Sequence, residues 1–125
     1  MEPLIAVVDD DISVRESLEG LIRSAGMAVK AFASAEEFLN SVNGRTPDCL
    51  VLDVQLPGMN GFELLHHLVT RKCKVPVIFM TAHGYDERAR SDASSPWTVA
   101  CLTKPFSEDE LLDAVQTASK WKPSN

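Results

Sequence analysis

The chain has little positive charge. Twelve lysines and arginines stand against 18 aspartates and glutamates, for a net charge of −6. An acidic domain lacks the basic footprint of a DNA or RNA binder, so no nucleic acid is expected on this chain. Its only basic cluster, Arg71, Lys72 and Lys74, reads as a solvated helix end, where cations suit the helix dipole. Long apolar runs are missing as well. None approaches the roughly 18 residues of a membrane span, so no membrane partner is expected. Met1-Glu2-Pro3 has no basic stretch of the kind that opens a secretory signal. Cysteine is scarce: Cys49, Cys73 and Cys101 are odd in number and far apart. That spacing suits neither a zinc site nor a disulfide framework, and a reducing, cytoplasmic location is the expectation.

What remains is ordinary globular composition, 45% hydrophobic and 24% charged. A length of 125 residues allows one domain. A chain of that size buries roughly two thirds of its unfolded surface, enough for a core without disulfides. Residues 1–121 are expected to form the domain, with 122–125 as a disordered tail or the start of a linker.

Five short apolar runs stand out: Leu4–Val8, Ala28–Phe32, Cys49–Leu52, Val75–Met80 and Val99–Leu102. All but the second are nearly continuous, which suits strands buried on both faces. Helical spacing fills the gaps. Val14, Leu18, Leu21, Ile22 and Ala25 mark one stripe, stopped by Gly26. Ser34 with Glu37 opens a second helix, running to about Val42. Phe62, Leu65, Leu68 and Val69 mark a third. Ser107 with Glu110 opens the last, followed by Leu111, Leu112, Val115 and Ala118. Between Tyr85 and Thr98 topology asks for one more helix, the fourth. Its stripe is poor, and Ser94-Ser95-Pro96 would end it early, so it is expected to be atypical. Alternation of this kind argues for an α/β fold, a parallel sheet with helices on both faces.

In such sheets ligands bind beyond the carboxyl ends of the strands. The residues that follow the runs are therefore the candidate site. They are Asp9-Asp10-Asp11, then Asp53, then Thr81, then Thr103-Lys104-Pro105. Asp9, Asp10 and Asp53 brought together would repel, unless a cation sits with them. Mg²⁺ is the natural candidate: it favours oxygen ligands and bridges readily to phosphate. Lys104 offers a point charge for a phosphoryl oxygen, and Thr81 a hydrogen bond for another. Asp11 reads as a helix N-cap. Pro57-Gly58 and Asn60-Gly61 read as turn chemistry. His66 and His67 read as surface residues, Cys49 as a buried strand position, and Trp121 as packing for the last helix.

Four blocks in order carry a resemblance: Val-Val-Asp9-Asp10-Asp11-x-x-Val-Arg15, Leu52-Asp53-Val-Gln-Leu-Pro57-Gly58-Met59-Asn60-Gly61, Val-Ile-Phe-Met-Thr81-Ala82-His, and Lys104-Pro105-Phe106. Together they resemble the receiver domain of two-component response regulators, over about residues 4–120. The wording around Asp53 is most similar to receivers attached to transcriptional regulators. The resemblance implies a flavodoxin-like (βα)5 fold with sheet order 2-1-3-4-5. It implies that Asp53 accepts a phosphoryl group from a histidine kinase or phosphotransfer protein. Asp10 and Asp53, with the backbone carbonyl of Gln55, would ligate Mg²⁺ or Mn²⁺, and Asp9 would hold the metal largely through water. Thr81 and Lys104 would engage the phosphoryl group. Phosphoryl transfer needs an in-line nucleophile and neutralised equatorial charge, which this set supplies. Lys104–Pro105 is expected to be cis. Gln55 and His83 would flank the phosphoryl group, and their role in water access is an expectation. Ile12, close to the acid pair, is expected in a kinase-docking patch.

The sequence also departs from the family. Where a Tyr or Phe usually stands three residues before the lysine, it has Cys101. Cysteine cannot make the large inward swing of that aromatic, so the usual switch is in question. The small residues usual before the fifth strand are replaced by Ser94-Ser95-Pro96-Trp97. A homodimer or an output domain would use this face of the fourth helix and fifth strand. The chain is expected to be a phosphorylation-controlled signalling module and not an enzyme, although it assists its own phosphorylation and dephosphorylation. It would be either a stand-alone receiver or the N-terminal part of a longer regulator. Two other readings stay open. One is a receiver-shaped interaction module independent of phosphate. The other is a phosphatase of the haloacid-dehalogenase type, from Asp9-x-Asp11.

Overall fold

The computed structural model describes residues 2–41, 46–82 and 95–121. The strands are β1 (Leu4–Val8), β2 (Ala28–Phe32), β3 (Cys49–Asp53), β4 (Val77–Thr81) and β5 (Thr98–Thr103). The helices are α1 (Ile12–Ser24), α2 (Ala35–Ser41), α3 (Gly61–Thr70) and α4 (Glu108–Ser119). The five strands form one parallel sheet in the order β2-β1-β3-β4-β5, the expected arrangement. The helix expected between β4 and β5 falls largely outside the described residues.

The continuous apolar runs of β1 and β3 are buried along their whole length, because both faces of the central strands are covered. Ile5 and Val7 pack with Leu18 and Ile22 of α1 and with Leu111, Val115 and Ala118 of α4. Ala6 and Val8 pack with Ala35 and Phe38 of α2 and with Leu64, Leu65 and Leu68 of α3. Successive residues of one strand thus feed two separate cores. β5 uses six residues against the five of β4, with a register shift between Val77 and Ile78.

Local chemistry fixes the helix ends. Asp11 caps α1 by accepting from the Ser13 N–H at 2.8 Å. Gly26, at φ 85°, closes that helix as the left-handed residue of a Schellman turn. In that turn the Gly26 N–H donates to Arg23 and the Met27 N–H to Ile22. Ser107 and Glu110 form the expected reciprocal cap of α4. Two details differ from expectation. Asn60 is more than a turn residue: it caps α3 in a reciprocal box with Glu63. The buried stripe of α3 is Gly61, Leu64, Leu65 and Leu68, while Val69 is 54% exposed. The α-helical period turns position 69 away from the row set by 61, 64 and 68. Trp121 donates its indole N–H to the Pro96 carbonyl at 2.8 Å, so it ties the end of α4 to the entry of β5.

Candidate functional site

Each candidate residue stands at or just past the carboxyl end of a strand. Asp9 directly follows β1, and Asp53 and Thr81 are the last residues of β3 and β4. Lys104 follows β5, and its N–H donates to the Thr81 carbonyl at 2.7 Å. Rigid strand ends hold these groups where a loop would let them drift.

Carboxylate oxygens of Asp9, Asp10 and Asp53 all lie within 4.8 Å of one another. Asp9 and Asp53 are buried and Asp10 is exposed. Lys104 Nζ reaches into this group, 3.0 Å from Asp9 Oδ2 and 3.4 Å from Asp53 Oδ2. Asp9 Oδ1 accepts from the Asp11 N–H at 2.9 Å, and Asp53 Oδ1 from the Gln55 N–H at 3.1 Å. Among the described residues no buried side-chain nitrogen or oxygen lacks a partner.

The electrostatics follow from this crowding. Burial holds the Asp53 carboxyl above its ordinary pKa, and the Asp9 charge adds to the effect. The Gln55 N–H and the Lys104 ammonium pull the other way without cancelling it. Burial also disfavours the charge on Lys104, but Asp9 and Asp53 outweigh it and hold the lysine above its ordinary value. The rim has three carboxylates against one ammonium, so it remains a hard-oxygen site with excess negative charge. That donor set fits a small divalent cation such as Mg²⁺.

The loop after Asp53 is built for close approach. A Cβ on Gly61 would stand 2.6 Å from the Asp53 carbonyl oxygen, so only glycine lets α3 begin against β3. Gly58 adopts φ 73° beneath Glu36, whose carboxylate accepts from the Met59 N–H at 3.1 Å. That contact spans 23 residues.

Residues 5–116 match the family model of the response regulator receiver domain. The chain belongs to that family. It is 44% identical over 117 residues to nodulation protein W of Bradyrhizobium diazoefficiens, covering 94% of this chain and 51% of that protein. It is 41% identical over 122 residues to the response regulator protein TmoT of Ectopseudomonas mendocina, covering 98% and 55%. The chain therefore spans about half the length of these curated relatives. Among solved structures it is similar to the N-terminal part of FixJ, at 33% identity and a TM-score of 0.85, covering all of this chain and 99% of that one. It is also similar to the response regulator StyR, at 41% identity and a TM-score of 0.82, covering 96% and 60%.

The structure brings Asp9, Asp10, Asp53 and Lys104 of the receiver to one rim, with Thr81 tied to it through the backbone. The Lys104–Pro105 bond is cis. Gln55 meets Asp53 through its backbone N–H. Cys101 stands opposite Phe79 in the sheet and packs on the core that α2 and α3 cover. His83 falls outside the described residues. His66 and His67 are exposed on α3 and Cys49 is fully buried, as the sequence indicates. Ile12 is 60% exposed beside the acid turn. No helix among the described residues is long and apolar enough to cross a membrane.

Sequence reasoning gave Arg15 and Glu36 no role at the site, yet each holds a piece of its backbone. Arg15 Nη1 donates to the Asp9 carbonyl at 2.8 Å. Arg15 sits within the Asp9-Asp10-Asp11 motif, so its spacing was a usable signal. Glu36 had none, because its partner is distant in sequence.

Proposed function

We propose that this receiver accepts a phosphoryl group on Asp53 from a phosphohistidine of a histidine kinase or phosphotransfer protein. The observation that carries the reading is the Lys104 ammonium bridging Asp9 and Asp53 inside an acidic rim. An Asp53 carboxylate oxygen attacks phosphorus as the phosphorus–nitrogen bond breaks. The electron pair leaves with the imidazole nitrogen, which takes up a proton. Lys104 then pairs with one phosphoryl oxygen, and the Thr81 hydroxyl donates to another. Asp10, Asp53 and the Gln55 carbonyl are the residues that would hold Mg²⁺ or Mn²⁺, with Asp9 acting through water. When bound, the metal supplies charge neutralisation for the carboxylates and for the phosphoryl oxygens.

Phosphorylation changes what the receiver touches and makes it a signalling domain. The protein also assists formation and hydrolysis of its own acyl phosphate, with Gln55 and His83 tuning the access of water. Residues 1–121 act as the receiver unit, in the cytoplasm. Its output passes to a second copy or to an output domain through the face around β5. Cys101, in place of the family's aromatic, calls for a transmission other than an aromatic swing.

Incubation with Mg²⁺ and a small phosphodonor, followed by intact mass measurement, tests the reading. Wild type should gain one phosphoryl group and Asp53→Asn none. No gain on wild type, or equal gain on both, overturns it.

A further inference from the structure

Asp9 is held at every polar atom. Its N–H donates to the Phe32 carbonyl at 3.1 Å. Its Oδ1 accepts from Asp11 at 2.9 Å and its Oδ2 from Lys104 at 3.0 Å. Its backbone carbonyl accepts from Arg15 Nη1 at 2.8 Å, in a partly buried contact. The last of these has a consequence for the next residue. The Asp9 carbonyl and the Asp10 N–H lie in one rigid peptide plane. Fixing the oxygen fixes the rotation of that plane, and with it the direction in which the Asp10 Cα leaves. Asp10 is exposed, so little packing is available to aim its carboxylate. It is nonetheless one of the three carboxylates that converge within 4.8 Å.

We infer that Arg15 is a positioning residue that locks the Asp9–Asp10 peptide plane and so aims the Asp10 carboxylate at the shared cation position. The inference rests on the reading of the acidic rim as a divalent cation site. Arginine suits the task because its rigid guanidinium offers several donors at the end of a long stem anchored on α1. Outer groups that orient metal ligands commonly govern metal affinity by about 10- to 100-fold.

Charge and positioning predict opposite signs, which makes the inference testable. Arg15 is a cation close to the acids. Were its charge all that mattered, Arg15→Ala would tighten Mg²⁺ binding. Loss of positioning weakens it instead. Mg²⁺ dissociation constants would be measured by calorimetric titration of wild type, Arg15→Ala and Arg15→Lys, beside the melting temperature of each metal-free protein. Arg15→Ala should bind Mg²⁺ about tenfold more weakly. Arg15→Lys, which keeps a donor on a long stem, should recover part of that loss. In metal-free protein, the Asp10 and Asp11 amide resonances should shift in Arg15→Ala and move back toward wild type in Arg15→Lys. Should Arg15→Ala fail to fold, Arg15→Lys decides: weaker binding with displaced Asp10 and Asp11 amides supports the inference. Unchanged or tighter binding in the folded variants overturns it. Failure of wild type to bind Mg²⁺ overturns the reading of the site and the inference with it, whereas wild-type binding with indifferent variants overturns the inference alone.

Discussion

Lys104 Nζ lies 3.0 Å from Asp9 Oδ2, and the same ammonium is 3.4 Å from Asp53 Oδ2. The lysine therefore occupies part of the charge balance that a divalent cation would otherwise supply. Lys104→Met should tighten Mg²⁺ binding by about tenfold, a gain of about 1.4 kcal/mol, because a competing charge is removed. It should also slow phosphorylation of Asp53 by roughly 100-fold, because a fixed donor to the phosphoryl group is lost. Mg²⁺ titration and phosphorylation time courses on the two proteins check both signs. Weaker Mg²⁺ binding in the variant would show that the lysine organises the rim more than it competes for it.

Asp53 contributes to stability in a pH-dependent way. Burial raises its folded pKa above the unfolded value near 3.8. Well below that value both states are protonated and the group has no effect. As pH rises through the window between the two pKa values, the unfolded state loses its proton first and stability falls. Above the folded pKa the penalty is complete. Asp53→Asn should therefore match wild type in strong acid and exceed it at neutral pH, in metal-free buffer. Urea denaturation midpoints across pH measure this, and a constant difference at all pH values would contradict it.

Metal binding should stabilise the fold by mass action. With Mg²⁺ at about 100 times its dissociation constant, the gain is about 2.7 kcal/mol. For a domain of this size that raises the melting temperature by several degrees. Chelation should remove the rise, and Asp10→Ala should abolish most of it without lowering the metal-free melting temperature, because Asp10 is exposed and its loss relieves repulsion among the three carboxylates. A full rise in Asp10→Ala would place the cation elsewhere.

Gly61 is a packing requirement. An added Cβ would stand 2.6 Å from the Asp53 carbonyl oxygen and 3.0 Å from the Val54 Cα. Backbone must shift to admit it, so Gly61→Ala should cost about 1–3 kcal/mol. It should slow phosphorylation as well, since the displaced backbone belongs to Asp53, the proposed phosphoacceptor. Denaturation and mass measurements on the variant check the two effects. Unchanged stability would mean that α3 can pivot freely about its first residue.

Local rules reach far in this chain because the sheet is parallel and central. β1 and β3 are covered on both faces, so their residues had to be apolar without alternation, and they were legible at once. Asp11, Ser107 and Gly26 act within a few residues of themselves, so their capping roles were legible too. The orientation of α3 was legible only in part. Phe62, Leu65 and Leu68 of the expected stripe do pack on the core, with Phe62 against Phe79, but Val69 is exposed and the close approach of Gly61 to Asp53 had no signal of its own. Cys101 stands opposite Phe79 in the β4–β5 register and packs on the core, a contact that its place in the motif did not by itself reveal.

The sequence by itself determined the strands, most of the helices and the acidic and basic groups at the strand ends, while the sheet order was implied only by the resemblance to receivers. It could do so because apolar runs, caps and strand-end residues are local signals. The tertiary structure alone decided that Lys104 bridges Asp9 and Asp53, that Arg15 grips the Asp9 carbonyl, and that Glu36 closes over Gly58. Lys104 and Glu36 join groups far apart in the chain, and the Arg15 contact depends on how the acid turn folds back over α1. Their geometry exists only once the sheet has placed the strand ends side by side.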